Sequence, residues 1–573
     1  MVAWQIKGMG GVLPRVDVRL VGDNMASTAA NCDLTSGALV SLPQVEFLQD
    51  FTAVPGPVEK AYRFPGGTVW LPLPSRFSSV VASPLANDDK HRVYWSNPGD
   101  KYIHANTRDR IQNGDPSFHV GLVQPTVAPS IGGRTGGDTT VPAIDRVYVY
   151  TYLNEFNEES SPSPASNVMS GPSDATWEVL FGGVDPTNPA GANYLPADRI
   201  RLYRIITSAS AGAQFYRVTE LAFPLPERYY DTIPDSVVVL NETIPSVGWG
   251  NPPEYLDGLV ALTGGILAGF TTNTVHFSEP NRPHTWPSQY DQSVHFEIVA
   301  MAAWQQYLMV LTKGFPSAGS GNNPSNYLFV QSQTAEPCIA RGSVVVDPSG
   351  VFYASQNGLV RFTGYQIDNL SAPMVEKNEW LSYYNATHIV GARHRQAYIA
   401  INDTDRGFLI DYSEPARLGF EDLTTLEGVT CIWNDENTGD TLLVAGKKAY
   451  EWDCPTSPPQ IYKWRSKTFT TPLPISLSAI QIDVDQKVLD AAPIDPILLD
   501  NGEVTLPAGV NAVFHYYAGP DLNLIMTRNL TVQQEIFRLP NGFKTFDHQV
   551  EVISRVPIYS IQLATTLNEL KGV

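Results

Sequence analysis

Proline and glycine, 45 and 44 residues of 573, recur along the whole chain and nowhere collect into one tract. Spread this way they read as turn residues, because proline presets one backbone angle and glycine accepts left-handed geometry. Frequent turns leave room for short strands between them. The intervening segments are rich in aromatic residues, with 26 Tyr, 23 Phe and 11 Trp, which suit a half-buried pleated surface. Where the period is clear it is two. Val147, Val149 and Thr151 oppose Tyr148, Tyr150 and Tyr152, and Ile480, Ile482 and Val484 oppose Gln481, Asp483 and Asp485. The chain is expected to be all-β.

Its length suits two to four domains. Residues 1–58 read as an extended N-terminal arm, with one short helical piece over Met25–Cys32 and Val12, Leu13, Val16, Val18 and Leu20 as apolar anchors. Such an arm needs a partner surface, on the body or on a neighbouring subunit. Residues 59–128 make one four-stranded sheet, a first propeller blade. The glycine-rich stretch at 128–142 reads as a linker. Residues 142–247, with a Ser/Pro-rich turn at 160–166, read as an inserted immunoglobulin- or fibronectin-like β-sandwich. Residues 248–460 carry five loose recurrences of strand and turn, each close to the period of a β-propeller blade. Residues 461–573 close the body as a further β region, with a channel-lining or tip segment among them.

Chemistry is sparse. The net charge of −20 disfavours a grip on nucleic acid phosphates. Cys32, Cys338, Cys431 and Cys454 have no metal or redox spacing, and leave room for one disulfide. Residues Met1–Lys7 lack a signal-peptide core, and no apolar run reaches the roughly 18 residues of a membrane span, so a soluble protein made in a cytoplasm is expected. No nucleophile elbow or zinc-protease motif occurs, and Gly446-Lys447-Lys448 sits in a hairpin without the glycine spacing of a phosphate loop. His388 and His394 read as ordinary strand and loop residues. The loops Asp403–Gly407 and Asp435–Asp440 read as hairpin turns, with calcium binding as the alternative. Nothing calls for a cofactor, a metal or a catalytic residue.

Several stretches resemble one family. Pro14–Asp17 with Ala29–Leu39, then Tyr148–Tyr152 followed by Glu158–Pro164, Phe270–Pro280 with His284–Pro287, and the ending Ile561–Leu570 are similar in pattern and order to nozzle proteins (tail tubular protein B-like) of short-tailed bacteriophages. The resemblance implies a non-enzymatic virion structural protein: a hexameric ring in the phage tail, below the portal and adaptor, that continues the DNA channel and closes it until ejection. Its implied partners are copies of itself, the adaptor or head-to-tail connector, tail fibres or spikes, and the double-stranded genome passing through without sequence-specific contact.

Within that reading one segment stands out. Asp483, Asp485, Asp490, Asp495, Asp500 and Glu503 face Lys487 alone among charged residues between Gln481 and Val504. Repeated around a ring, they would line a passage with negative potential that DNA slides past. A solvated outer face is the plainer expectation for each. The alternative function is a carbohydrate- or receptor-binding propeller, with Trp249, Trp286 and Trp433 as stacking platforms. An extracellular adhesion protein is a third.

Overall fold

The computed structural model describes residues 4–208, 212–403, 406–414, 418–426, 428–491, 505–540 and 542–570. It is all-β, with only short helical turns between strands. No helix among the described residues is long and apolar enough to cross a membrane. The chain divides into two compact units, Met1–Phe77 with Met309–Ala318 and Val330–Val573, and Ser78–Leu308 with Gly319–Phe329.

The first unit is organised by a ten-stranded sheet. Four strands of one meander, Val390–His394, Ala397–Ile401, Gly407–Asp411 and Phe420–Leu423, are joined through Ala26–Ala30 to Tyr462–Ser466, and thence to Thr545–Ser554, Ala512–Ala518 and Asn523–Asn529. Ala26–Ala30 runs parallel to one neighbour, at Ala30 and Asp422, and antiparallel to the other. A four-stranded sheet of Trp4–Ile6, Ile558–Ala564, Ala479–Val484 and Glu535–Arg538 shares a core with the C-terminal strands. Ile6, Trp464, Ile480, Ile482, Phe514, Val552 and Leu563 all meet there. The period-two pattern at Ile480, Ile482 and Val484 therefore marks the face that is wholly removed from water.

The N-terminal segment thus packs on the body, one of the two partner surfaces expected for it, and enters its sheets as strands. Its expected helical piece is the strand Ala26–Ala30, held because its alanines fit where two strands approach closely. Its anchors are Ile6, Met9, Met25, Ala29, Leu34 and Leu39, whereas Leu20 is 79% exposed. Gly11 and Gly419 cross so tightly that a Cβ on either would stand under 3 Å from the other strand's backbone. Nor does a domain boundary fall at 460, since one sheet runs through it.

Two more meanders complete this unit. Val345–Asp347, Gly350–Ser355, Gly358–Phe362 and Ile367–Asn369 form one. The other, Val429–Asn434, Thr441–Ala445 and Lys448–Glu451, takes its fourth strand from Glu46–Asp50 near the other end of the chain. Gly446 and Lys447 turn its hairpin with φ of 55° and 60°, the left-handed pair that a two-residue hairpin requires.

The second unit contains the meander Ser79–Ala82, Val93–Ser96, His104–Asn106 and Phe118–His119, and a second of Asp257–Leu262, Ile266–Thr271, Thr274–Phe277 and Gln292–Ser293. The expected sheet at 59–128 is therefore split, because the hairpin Lys60–Arg63 with Trp70–Leu73 belongs to the first unit. Between these meanders in sequence lie two three-stranded sheets over one core. Ser130–Thr135, Thr176–Leu180 and Arg228–Asp231 form one, and Tyr148–Asn154, Ala197–Ser208 and Gly212–Ala222 the other. Tyr148, Tyr150, Tyr152, Trp177, Val179, Ile200 and Leu202 fill the space between. The stretch expected as a linker contributes a strand, Ser130–Thr135, because its glycines admit the close partner strand at Glu178 and Leu180.

The Ser/Pro-rich stretch at 160–166 is likewise more than a turn. Ser160, Ser163 and Ser166 donate their backbone N–H groups to the carbonyls of Tyr152, Tyr150 and Tyr148, at 3.0, 2.8 and 2.9 Å. Each serine hydroxyl accepts the same tyrosine's N–H, at 2.9 to 3.0 Å, and donates to the carbonyl of its own next residue. A three-residue repeat is thereby matched to a two-residue one. Two strand residues advance about 6.7 Å, so the serine segment climbs only about 2.2 Å per residue, shorter than the ~3.1 Å of polyproline II.

Candidate functional site

The acidic C-terminal segment begins on the strand Ala479–Val484, whose apolar side chains are committed to the core. Asp483 points to the opposite face beside Ser560, and its buried Oδ1 has no hydrogen-bond partner among the described residues. Asp485 is not a strand residue. It caps the short helix Gln486–Leu489, accepting from the N–H groups of Lys487 and Val488 at 2.9 and 3.3 Å. Such a cap satisfies backbone donors that the first turn leaves open. Asp490 is exposed and accepts from Gln486 Nε2 at 2.8 Å. Asp495, Asp500 and Glu503 lie outside the described residues.

A residue the sequence did not single out reports the field here. Tyr559 donates its hydroxyl to Asp485 Oδ2 at 3.3 Å. Its phenol is pushed up by desolvation first, then by Asp485 and Asp483. These two carboxylates and Tyr559 thus form one negative patch on the outer face of the C-terminal sheet. Its members are 74 residues apart in sequence, and no local spacing signals their meeting.

The Asp435–Asp440 loop meets a cation of another kind. Arg63, from the hairpin Lys60–Arg63, places Nε 2.6 Å from Asp435 Oδ2 and Nη2 3.0 Å from Asp440 Oδ2. Asn437 donates back to the Arg63 carbonyl. The carboxylates that a dication would need are engaged by a guanidinium, and the turn reading accounts for the rest. In the other loop Thr404 and Asp405 lie outside the described residues. Asp403 contacts Asn385, and Arg406 lies over the Tyr383 ring at 4.3 Å. No group of three or more metal-ligating side chains occurs among the described residues.

An enclosed site of the first unit surrounds Cys32. A narrow cavity there is lined by Cys32, Asp33, His394, Arg395, Asp411 and Glu421. His394 Nε2 lies 2.7 Å from Asp453 Oδ2, and Arg395 bridges Asp453 and Asp33 at 3.1 and 2.7 Å. His388 sits in the separate turn Ala386–His388. A cysteine beside a histidine and carboxylates is the inventory of a nucleophilic site. Here, however, burial pushes the thiol well up, and Glu421 and Asp33 push it further. Burial of this kind disfavours the reactive thiolate, and the Arg395–Asp33 pair joins the N-terminal segment to the meander. The four cysteines are free and buried, and no disulfide forms.

In the second unit buried arginines are paired with carboxylates. Arg204 pairs with Asp231 and Asp235 at 2.5 and 2.7 Å, and Arg146 with Asp235 at 2.8 Å. Tyr148 donates to Asp231 at 2.7 Å. Glu159 accepts from Thr151, Tyr203 and Arg201. Trp286 is buried in the core, Trp249 lies under Arg282, and Trp433 packs in the first unit.

No protein-family model matches the chain, and no curated protein matches it. Among solved structures it is similar to BamB from Moraxella catarrhalis, at 10% identity and a TM-score of 0.27 over 67% of this chain and 98% of that one. It is also similar to the Pan2 WD40 domain of Neurospora crassa, at 10% identity and 0.25 over 51% and 86%. A third is BBS1N in complex with ARL6DN, at 12% and 0.29 over 73% and 99%. Likenesses this distant carry no functional argument.

Proposed function

We propose that the chain is a non-enzymatic virion structural protein, the tail nozzle of a short-tailed bacteriophage. The observation that carries this reading is where the nozzle-like stretches fall. Ala29, Cys32, Leu34 and Leu39 are buried, as are Tyr148, Tyr150, Glu159 and Ser163, then Phe270, Phe277, His284 and Trp286, and finally Ile561, Leu563 and Leu570. The resemblance lies on framework positions in both units, and framework is what distant members of one fold share. In this reading the four-stranded meanders are propeller blades, the two-sheet module of the second unit is an inserted sandwich, and the protein is made in the host cytoplasm and resides in the tail.

The negative patch at Asp483 and Asp485 suits a wall that DNA passes without sticking, since it repels phosphates. Self-association into a hexameric ring, docking on an adaptor, and contacts with fibres or spikes complete the proposal. Native mass of the full-length protein, alone and with the candidate adaptor, tests it. A discrete six-fold ring on the adaptor is expected. A monomer that ignores the adaptor and binds oligosaccharides overturns it.

A further inference from the structure

The strand Glu46–Asp50 ends its sheet. Lys448–Glu451 pairs with one of its edges, and no described strand pairs with the other. An edge like this offers a row of backbone donors and acceptors to any extended segment. Its side chains add to the invitation. Phe47 is 54% exposed, and its ring meets the Tyr450 ring edge-on at 5.9 Å. Along the strand runs an open groove of about 530 Å³ lined by Val45, Glu46, Phe47, Lys448, Tyr450 and Pro458.

The charge of this edge selects among partners. Glu46 and Asp50 are exposed on either side of Phe47. Glu451, paired opposite Glu46, has its carboxyl pushed up by burial first, then by Asp440 and Glu46. Asp50 lies opposite Lys448 on the face that carries Phe47 and Tyr450, so the acidic face of this edge is the one with Glu46 and Glu451. A second copy of this strand, laid antiparallel, would bring Glu46 against Asp50, like charges directly opposed. One register shift, where Leu48 is the extra residue, keeps the open run short.

We propose that this edge docks an extended segment of another protein in which basic side chains alternate with aliphatic ones. Backbone pairing supplies the attachment, as in other strand-addition sites. The aliphatic side chains cover Phe47 and Tyr450 on one face, and the basic ones answer Glu46 and Glu451 on the other. The inference is independent of the nozzle reading and survives its failure.

The test uses the full-length protein and a fluorescein-labelled hexapeptide alternating lysine and valine, followed by anisotropy. Binding is expected, weakening as salt rises. Phe47→Ala should weaken it about tenfold. Glu46→Gln should weaken it similarly and flatten the salt dependence. Both positions are exposed, so the variants should keep the parent melting temperature. A peptide of the same charge, N-methylated at alternate amides, should bind at least about tenfold more weakly, since it cannot pair with an edge. If the methylated peptide binds as well as the parent, the contact is electrostatic only and the proposal fails. It fails equally if a glutamate–valine peptide binds as well as the lysine one, if the variants bind like the parent protein, or if no peptide binds.

Discussion

The strands Tyr148–Asn154 and Glu46–Asp50 each stand at the end of a sheet, and the chain finishes them in opposite ways. The first has its outer edge filled by Ser160, Ser163 and Ser166, which engage the backbone N–H and carbonyl of Tyr152, Tyr150 and Tyr148. Between those serines stand Pro162 and Pro164, which have no N–H to offer a further strand. The sheet therefore stops there. The second edge has no such cover, and its only guards are two carboxylates and one register shift. One edge is built to refuse partners and the other to choose them. The difference lies in side chains, because both strands present the same backbone groups.

Removing the cover should produce the largest effect. In a variant combining Ser160→Ala, Ser163→Ala and Ser166→Ala, three hydroxyl acceptors disappear and three buried N–H groups lose their partners. At about 1 kcal/mol for each bond, the second unit should lose roughly 3 kcal/mol. Amide exchange locates the loss. The N–H groups of Tyr148, Tyr150 and Tyr152 should exchange about tenfold faster or more, while the amides of Arg201 and Tyr203, inside the same sheet, should keep their protection. Unchanged tyrosine protection would mean that the serine segment is an ordinary loop and that the contrast between the edges is false.

Much of this architecture is legible in sequence, and its gaps share a cause. The alternation at Ile480–Val484 is visible because one face of that strand is wholly buried, and the meanders of 342–362 and 389–411 are visible because each strand pairs with its sequence neighbour. Ala26–Ala30 reads as helix because alanine favours helices locally, while its partners lie at Lys463–Ser466 and Asp422, hundreds of residues away. The serine ladder was also open to inspection, since Ser160, Ser163 and Ser166 recur at spacing three beside tyrosines at spacing two. Reading Ser and Pro only as turn formers hides it. Of the acidic candidates, the sequence alternation places Asp483 outward, but only the fold shows Asp485 spent on a helix cap. Arg63 and Tyr559 carry no local signal at all.

The open-edged sheet needs other fastenings, and Arg63 is one of them. It ties the turn Asp435–Asp440, which connects two strands of that sheet, to the hairpin Lys60–Arg63. Arg63→Ala would leave Asp435, which is 5% exposed, without its cation. The expected loss is about 1–2 kcal/mol by denaturant unfolding, below that of a fully buried pair because Asp440 stays in contact with water. Millimolar calcium should not restore it, because the loop's remaining oxygens are spent on its own turn, as Thr438 and Asn437 show. Recovery with calcium would show that the loop is a cation site held by arginine, and would make this sheet adjustable where the serine-capped one is fixed.

The second fastening gives the smallest effect, and it depends on pH. The stretch Cys32–Leu34, ahead of the open-edged strand, lies over Glu421, which is 2% exposed with Oε2 unpartnered. Burial pushes the Glu421 carboxyl well above its ordinary 4.5, and Asp33 and Asp411 push it further. The surrounding charges are Arg395, His394 and Asp453, which pair among themselves and with Asp33. The folded chain therefore holds a proton that the unfolded chain releases above about pH 4.5. Stability contributed by that proton is complete below this value and declines as the pH rises toward the folded carboxyl's own titration. Glu421→Gln keeps the shape and removes the titration. The variant should melt like the parent at pH 4 and slightly higher at pH 8, by on the order of 1 °C for a chain of this size. A lower melting temperature at pH 8 would mean that ionised Glu421 stabilises the fold. The N-terminal segment would then be held by charge, and the open edge would sit on a weaker footing than the serine-closed one.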